Sequence, residues 1–149
     1  MRTGERLQSM RYMRCLMSVR GWYEWNENEL VRSDSGRKVK QPYFISSPDS
    51  EVIAFAGLWA IWNGQDDSQV ISCALLSKTA SPAIVHIHDR MPVVLKPEHF
   101  DAWLNSKTHG QAVQEIIADS HMDFISCPVS TKVDNARNDF ADLLEPLNS

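Results

Sequence analysis

The chain has little of several things. It holds three cysteines, Cys15, Cys73 and Cys127, in 149 residues. Their odd number, wide spacing and lack of any CxxC pair argue against a disulfide framework and against a cysteine zinc site. Each sits in an apolar or strand-like context, so all three are expected as buried core thiols. No apolar run approaches the roughly 20 residues that span a bilayer, so no membrane partner is expected. No apolar h-region follows the arginines near the start, which argues against a secretory signal. GxSxG, P-loop, GxGxxG and HExxH motifs are all absent, so the common catalytic and cofactor loops are excluded and no cofactor is called for.

What is present begins with charge. The net charge of -4 hides an asymmetry. Residues 1–40 carry nine Lys/Arg against five Asp/Glu, and residues 41–149 carry six against fourteen. A basic segment in an acidic chain suggests an edge that faces a polyanion. The plainer reading is a solvated face in which Arg6, Arg11, Arg14 and Arg20 balance acids elsewhere.

The length suits one domain, 1–149, with residues 1–12 expected to be loose. The run from Arg14 to Trp25 is rich in strand formers, with Gly21 at a bulge or close approach. Residues 26–40 are polar and read as a hairpin loop. Strands are expected at 42–46, 52–62, 70–76 and 93–95, and a late one at 122–129. Pro97 fits the first position of a helix, and Glu98 its first turn. Phe100, Trp103 and Leu104 then form one apolar stripe. A second helix fits 110–119, and the tail is short helix or irregular. The class is α+β: a curved, largely antiparallel, barrel-like sheet with two short helices.

Two runs carry candidate chemistry. In Gly21-Trp22-Tyr23-Glu24-Trp25 a single carboxylate lies among three rings. On a strand, Trp22 and Glu24 share a face. Glu24 is therefore poorly solvated, and its pKa should rise unless an arginine such as Arg20 pairs with it. In His88-Asp89-Arg90-Met91-Pro92 an imidazole, an acid and a guanidinium stand together before an apolar strand. His88 titrates near neutrality by its ordinary chemistry, so Glu24 and His88 are a candidate acid/base pair. Arg90 suits a phosphate or carboxylate, or else an ion pair with Asp89. His86 and His88, read as a strand HxH, would put two rings on one face, but no third ligand is evident and no metal is expected. Trp22, Trp25, Trp59 and Trp62 are core by composition, although one or two could stack on a base.

The combination resembles one family. Arg14-Cys15-Leu16 leading to Gly21-Trp22-Tyr23-Glu24-Trp25 is similar to the RCL…G-[WF]-[YF]-E-W segment of the SRAP family of SOS-response-associated, abasic-site-processing proteins. His88-Asp89-Arg90-Met91-Pro92 resembles that family's HDRMP run. Pro128-Val129-Ser130 with Val133, Asn135 and Asn138 resembles its closing segment. Gln41-Pro42-Tyr43-Phe44 and Phe55-Ala56-Gly57-Leu58-Trp59 match strands between them. The likeness runs from about Arg14 to Leu144. It implies a cytoplasmic protein, nucleoid-associated in a bacterium, that recognises abasic sites in single-stranded DNA during the DNA damage response. It implies a thiazolidine cross-link made by a cysteine exposed after the initiator methionine, and peptidase- or lyase-like self-processing. By motif position it implies proton-transfer roles for Glu24 and His88, and DNA contacts by Trp25, Arg90 and Trp22.

One position departs from the family pattern. The family begins Met-Cys-Gly-Arg, and here position 2 is Arg2, read as a DNA-contacting remnant of a family Asn-Ala-Arg segment. Cys15 has no free α-amine and cannot take the nucleophile's place. The expectation is a domain lacking the family's N-terminal segment, impaired in cross-linking, with an exposed edge that favours instability or dimerisation. The alternative is a non-enzymatic single-stranded-DNA-binding module.

Overall fold

The computed structural model describes residues 13–63 and 68–147. Arg2 and the expectation for residues 1–12 lie outside them. Nine strands run in chain order: β1 Arg14–Val19, β2 Trp22–Arg32, β3 Lys38–Ser46, β4 Ile53–Asn63, β5 Gln69–Leu75, β6 Ser77–Thr79, β7 Arg90–Pro92, β8 Val94–Leu95 and β9 Ile125–Pro128. Two α-helices follow β8: α1 Phe100–Leu104, led in by a 3₁₀ turn Pro97–His99, and α2 Gln111–Ala118. The class is α+β with antiparallel sheets and two short helices. The strands form separate sheets, and no closed barrel exists among the described residues. No helix among them is long and apolar enough to cross a membrane.

The chain divides into two compact units. The first takes in Met1–Val19, Ile53–Lys78 and Pro92–His121. Its sheet has the order β1-β4-β5, with β8 also paired to β4. Ala56, Leu58, Val93, Leu95, Trp103, Val113 and Ile116 form its buried core. The i, i+3 spacing of Val113 and Ile116 is what turns α2's apolar stripe inward. β5 is an edge strand exposed along its whole length.

Arg14 belongs to this core. It is 6% exposed, which corrects its reading as part of a solvated basic face. Its guanidinium donates to the carbonyls of Trp103, Asn105 and Thr108, the last at 3.0 Å. These oxygens lie at and just beyond the end of α1, where helix carbonyls lack partners. The Trp103 indole in turn donates to the Cys15 carbonyl at 2.9 Å.

The second unit comprises Arg20–Val52, Thr79–Met91 and Met122–Ser149. Its sheet has the order β2-β3-β9. The run 14–25 is not one strand: β1 and β2 part at Arg20-Gly21 and enter different sheets. Gly21 is a close approach, since a Cβ there would lie 2.3 Å from the Ile45 carbonyl oxygen and 2.6 Å from the Phe44 ring. The loop expected over 26–40 is mostly strand. β2 runs to Arg32 and β3 starts at Lys38, with a register shift between Asn26 and Leu30. The turn is only Ser33–Arg37, closed by Gly36 N–H on the Ser33 carbonyl at 2.8 Å, with Gly36 at φ +78. Cross-strand pairing has overridden the low strand propensity of Asn26, Glu27 and Asn28.

The cysteines also depart from expectation. Cys73 is exposed, and Cys15 and Cys127 are half-buried, so they are not three core thiols.

Candidate acid–base site

β2 places Trp22, Glu24 and Asn26 on one face of its sheet, because side chains alternate along a strand. Trp22 is 9% exposed and meets the Phe124 ring edge-on at 5.1 Å. The indole is packed in the interior rather than standing open to a base. Its effect at the site is to strip water from Glu24. The half-buried Glu24 carboxyl is held above the ordinary glutamate range. Burial is the leading cause, and the His88 charge and a hydrogen-bonding interaction with the Trp22 side chain pull it partly back. The charged neighbour of Glu24 is thus a histidine and not the arginine considered from sequence. Arg20 instead lines a separate cleft with Ser46, Ser47 and Glu51.

Tyr43 on β3 sits directly across from Glu24. Its hydroxyl donates to Glu29 Oε2 at 2.7 Å. That bond, with burial, pushes the phenol up to about 12. The Tyr43 ring stands edge-on to His86 at 6.5 Å. Sequence reasoning did not single out Tyr43 for the site. The cross-strand register would have found it once Ser33–Gly36 had been taken as the turn.

The histidines lie on helical turns, not on a strand, which corrects the HxH reading. Ile84 and Val85 N–H both donate to the Ser81 carbonyl, and Ile87 and His88 N–H to the Ile84 carbonyl. Ser81-Pro82 starts this segment as a helix start would. Ile84 and Ile87 are buried at 1% and 3%, and they anchor the turns. Glu27, Asn28, Val85, His86, Ile87, His88 and Asp89 line a cleft of about 320 Å³.

His88 Nδ1 accepts the Arg90 backbone N–H at 3.0 Å. A neutral ring held this way carries its proton on Nε2. Asp89 Oδ1 lies 3.3 Å from the same Nδ1, and the Arg90 carbonyl oxygen 3.2 Å. If Nδ1 takes a proton, an acceptor is already in place. The dipeptide after His88 therefore serves both charge states of the ring.

Trp25 points to the opposite face of β2 from Glu24. Its indole donates to Asp134 Oδ1 at 2.7 Å. Arg90 is exposed at the start of β7. Across the mouth of the cleft, Lys40 pairs with Glu27 at 2.5 Å. Among the described residues no group of three or more His, Cys, Asp or Glu is placed to hold a metal.

An antiparallel α+β domain that presents a desolvated glutamate to a backbone-held histidine defines a proton-handling class of site. The family model described as SOS response associated peptidase (SRAP) matches residues 7–136, and the chain belongs to that family. It is 32% identical over 137 residues to the abasic site processing protein YoaM of Bacillus subtilis, covering 91% of this chain and 57% of that protein. It is 31% identical over 137 residues to the abasic site processing protein YedK of Escherichia coli, covering 90% and 58%. The chain thus spans a little over half the length of these curated relatives. Among solved structures, a protein from Bacteroides thetaiotaomicron shares the fold at a TM-score of 0.78 and 17% identity, over 95% of this chain and 60% of that one. A phage-related protein from Bordetella bronchiseptica gives 0.60 at 31% identity, over 82% and 55%.

Proposed function

We propose that this chain recognises abasic sites in single-stranded DNA in the DNA damage response, with Glu24 and His88 as its proton-handling pair. The observation that supports this most is the Glu24 carboxyl, raised by burial and facing His88. A glutamate protonated closer to neutrality can serve as a general acid, a role worth about 10²–10⁴-fold in rate. At an abasic site the ring-opened sugar offers an aldehyde. An amine adds to its carbon, and the resulting hydroxyl must leave as water to give a Schiff base. Glu24 supplies the proton to that departing hydroxyl. His88, with its proton on Nε2, donates to the sugar oxygen. Arg90 takes a phosphate, and Trp25 offers its ring to a base.

The family's cysteine nucleophile at position 2 is not matched, because Arg2 stands there. The cross-link itself is therefore not assigned to this chain. The reaction should instead be visible with an external nucleophile. Free cysteine carries both an amine and a thiol, and it closes a thiazolidine on the aldehyde with loss of one water. Mixed with an abasic oligonucleotide and free cysteine, the chain should accelerate capture of the sugar, and Glu24→Gln should lose most of that acceleration. On a denaturing gel the protein itself should not shift. Equal binding of abasic and intact strands, without any acceleration, would sink this reading and leave a bare single-strand-binding module.

A further inference from the structure

Three sulfur atoms converge on the first unit's sheet, on a part of the chain that the proposed chemistry does not use. Cys15 pairs with Gly57, Met17 with Phe55, and Cys73 with Trp59. By the strand alternation these side chains share one face, opposite Ala56 and Leu58 of the core. Cys15 Sγ lies 3.3 Å from Cys73 Sγ, and Cys73 Sγ lies 3.4 Å from Met17 Sδ. The approach exists because residue 57 has no side chain. A Cβ there would stand 2.7 Å from Cys15 Sγ and 3.2 Å from Cys73 Sγ. Cys73 is exposed, so the cluster is open to solutes. We propose that Cys15, Cys73 and Met17 form a binding site for a soft monovalent cation of the Cu(I) class.

Geometry favours an ion over a disulfide. β1 and β5 are not neighbours, since β4 lies between them. Two strand spacings put their backbones on the order of 9 Å apart. A disulfide tolerates Cα separations only up to about 7 Å. The thiols meet because both reach over Gly57. An ion about 2.3 Å from each of three sulfurs would set those sulfurs roughly 4 Å apart, a small opening from the present contacts. Two thiolates and a thioether are the soft donors that select Cu(I), whereas zinc asks for four ligands.

The protons and electrons balance simply. Each thiol releases one proton to solvent as its sulfur–metal bond forms, the thioether gives a lone pair, and no electron moves. Burial, and then the contact with Cys73, push the Cys15 thiol up to about 11. The thiol therefore stays protonated at neutral pH until an ion displaces its proton, and affinity should rise with pH.

The test is an anaerobic titration of the whole chain with Cu(I) buffered by bicinchoninate, repeated with Ag(I). One ion per chain should bind, with a sulfur-to-metal charge-transfer band. Cys73→Ser, on an exposed edge strand, should abolish binding with the fold intact by circular dichroism. Gly57→Ala should abolish it by filling the gap. Met17→Leu should weaken it about tenfold or more, and Cys127→Ser should leave it unchanged. Unaltered stoichiometry in Cys73→Ser would overturn the proposal. So would a Cys15–Cys73 disulfide formed in the folded chain on mild oxidation without metal.

Discussion

Arg14 on β1 and Glu24 on β2 both give up water, and the fold treats them in opposite ways. Arg14 is 6% exposed, yet its guanidinium meets three carbonyl oxygens around the end of α1. Burial draws its pKa down, but a group with this ordinary value keeps its charge at any working pH. Glu24 loses water to Trp22 and has no comparable set of donors. It faces one histidine that is itself tied to the backbone, and its protonated form gains. A satisfied buried charge stabilises a fold, and an under-satisfied one stores reactivity. Two features that looked alike in sequence, a charge flanked by strand formers, therefore divide into a structural role and a chemical one.

The widest test of that division removes Arg14. Arg14→Met keeps much of the side-chain volume but strands three carbonyls. It should cost about 3 kcal/mol, read as a lower midpoint in urea unfolding. Below the unfolding transition, capture of the abasic sugar by free cysteine should proceed at the parent rate. A stability loss below about 1 kcal/mol would mean that water replaces the guanidinium, and the contrast with Glu24 would collapse.

Glu24→Gln should do the reverse. A folded-state pKa raised above the unfolded value means that the fold favours the neutral carboxyl. That contribution is complete below the ordinary glutamate pKa and is lost as pH rises through the raised value. The glutamine variant has no such loss. It should match the parent near pH 4 and exceed it at pH 7 by a few tenths to about 1 kcal/mol, a range limited by Glu24's partial exposure. Thermal melts across pH 4–8 measure the divergence. A parent that gains on the variant with rising pH would show a carboxylate stabilised by its neighbours.

What the sequence made legible was mostly local. Pro97, Glu98 and the 100/103/104 stripe marked the first helix because caps and stripes act within one or two turns. Gly21 announced a close approach because little else explains a glycine amid strand formers. The resemblance of the GWYEW and HDRMP runs brought Glu24 and His88 together, although they stand far apart in the chain. The rest depended on contacts that sequence spacing does not encode. Arg14 reaches carbonyls some ninety residues away, and no pattern around it distinguishes that from a surface arginine. Cys15 and Cys73 meet across a third strand at a glycine, so CxxC counting misses them. The histidine turns were misread as a strand because Ile84, His86 and His88 mimic alternation, while Ser81-Pro82 carried the contrary signal. The hairpin was misplaced because Asn26–Asn28 look like turn residues, and cross-strand pairing overrode them.

The smallest predicted effect concerns Trp25, on the other face of the strand that carries Glu24. The indole donates to Asp134, which fixes the ring without burying it. If the ring is held for stacking on a base, loosening it should matter to DNA and hardly to the fold. Asp134→Ala should shift stability by no more than about 0.5 kcal/mol, as for most surface changes. It should weaken single-strand binding a few-fold at constant salt, because an untethered ring must be ordered on binding. Trp25→Ala should remove that dependence, so that adding Asp134→Ala to it costs nothing further. A double-mutant cycle by fluorescence anisotropy measures this coupling. Additive losses would show that Asp134 and Trp25 act apart, and that this face of β2 contributes bulk charge and area in place of a positioned ring.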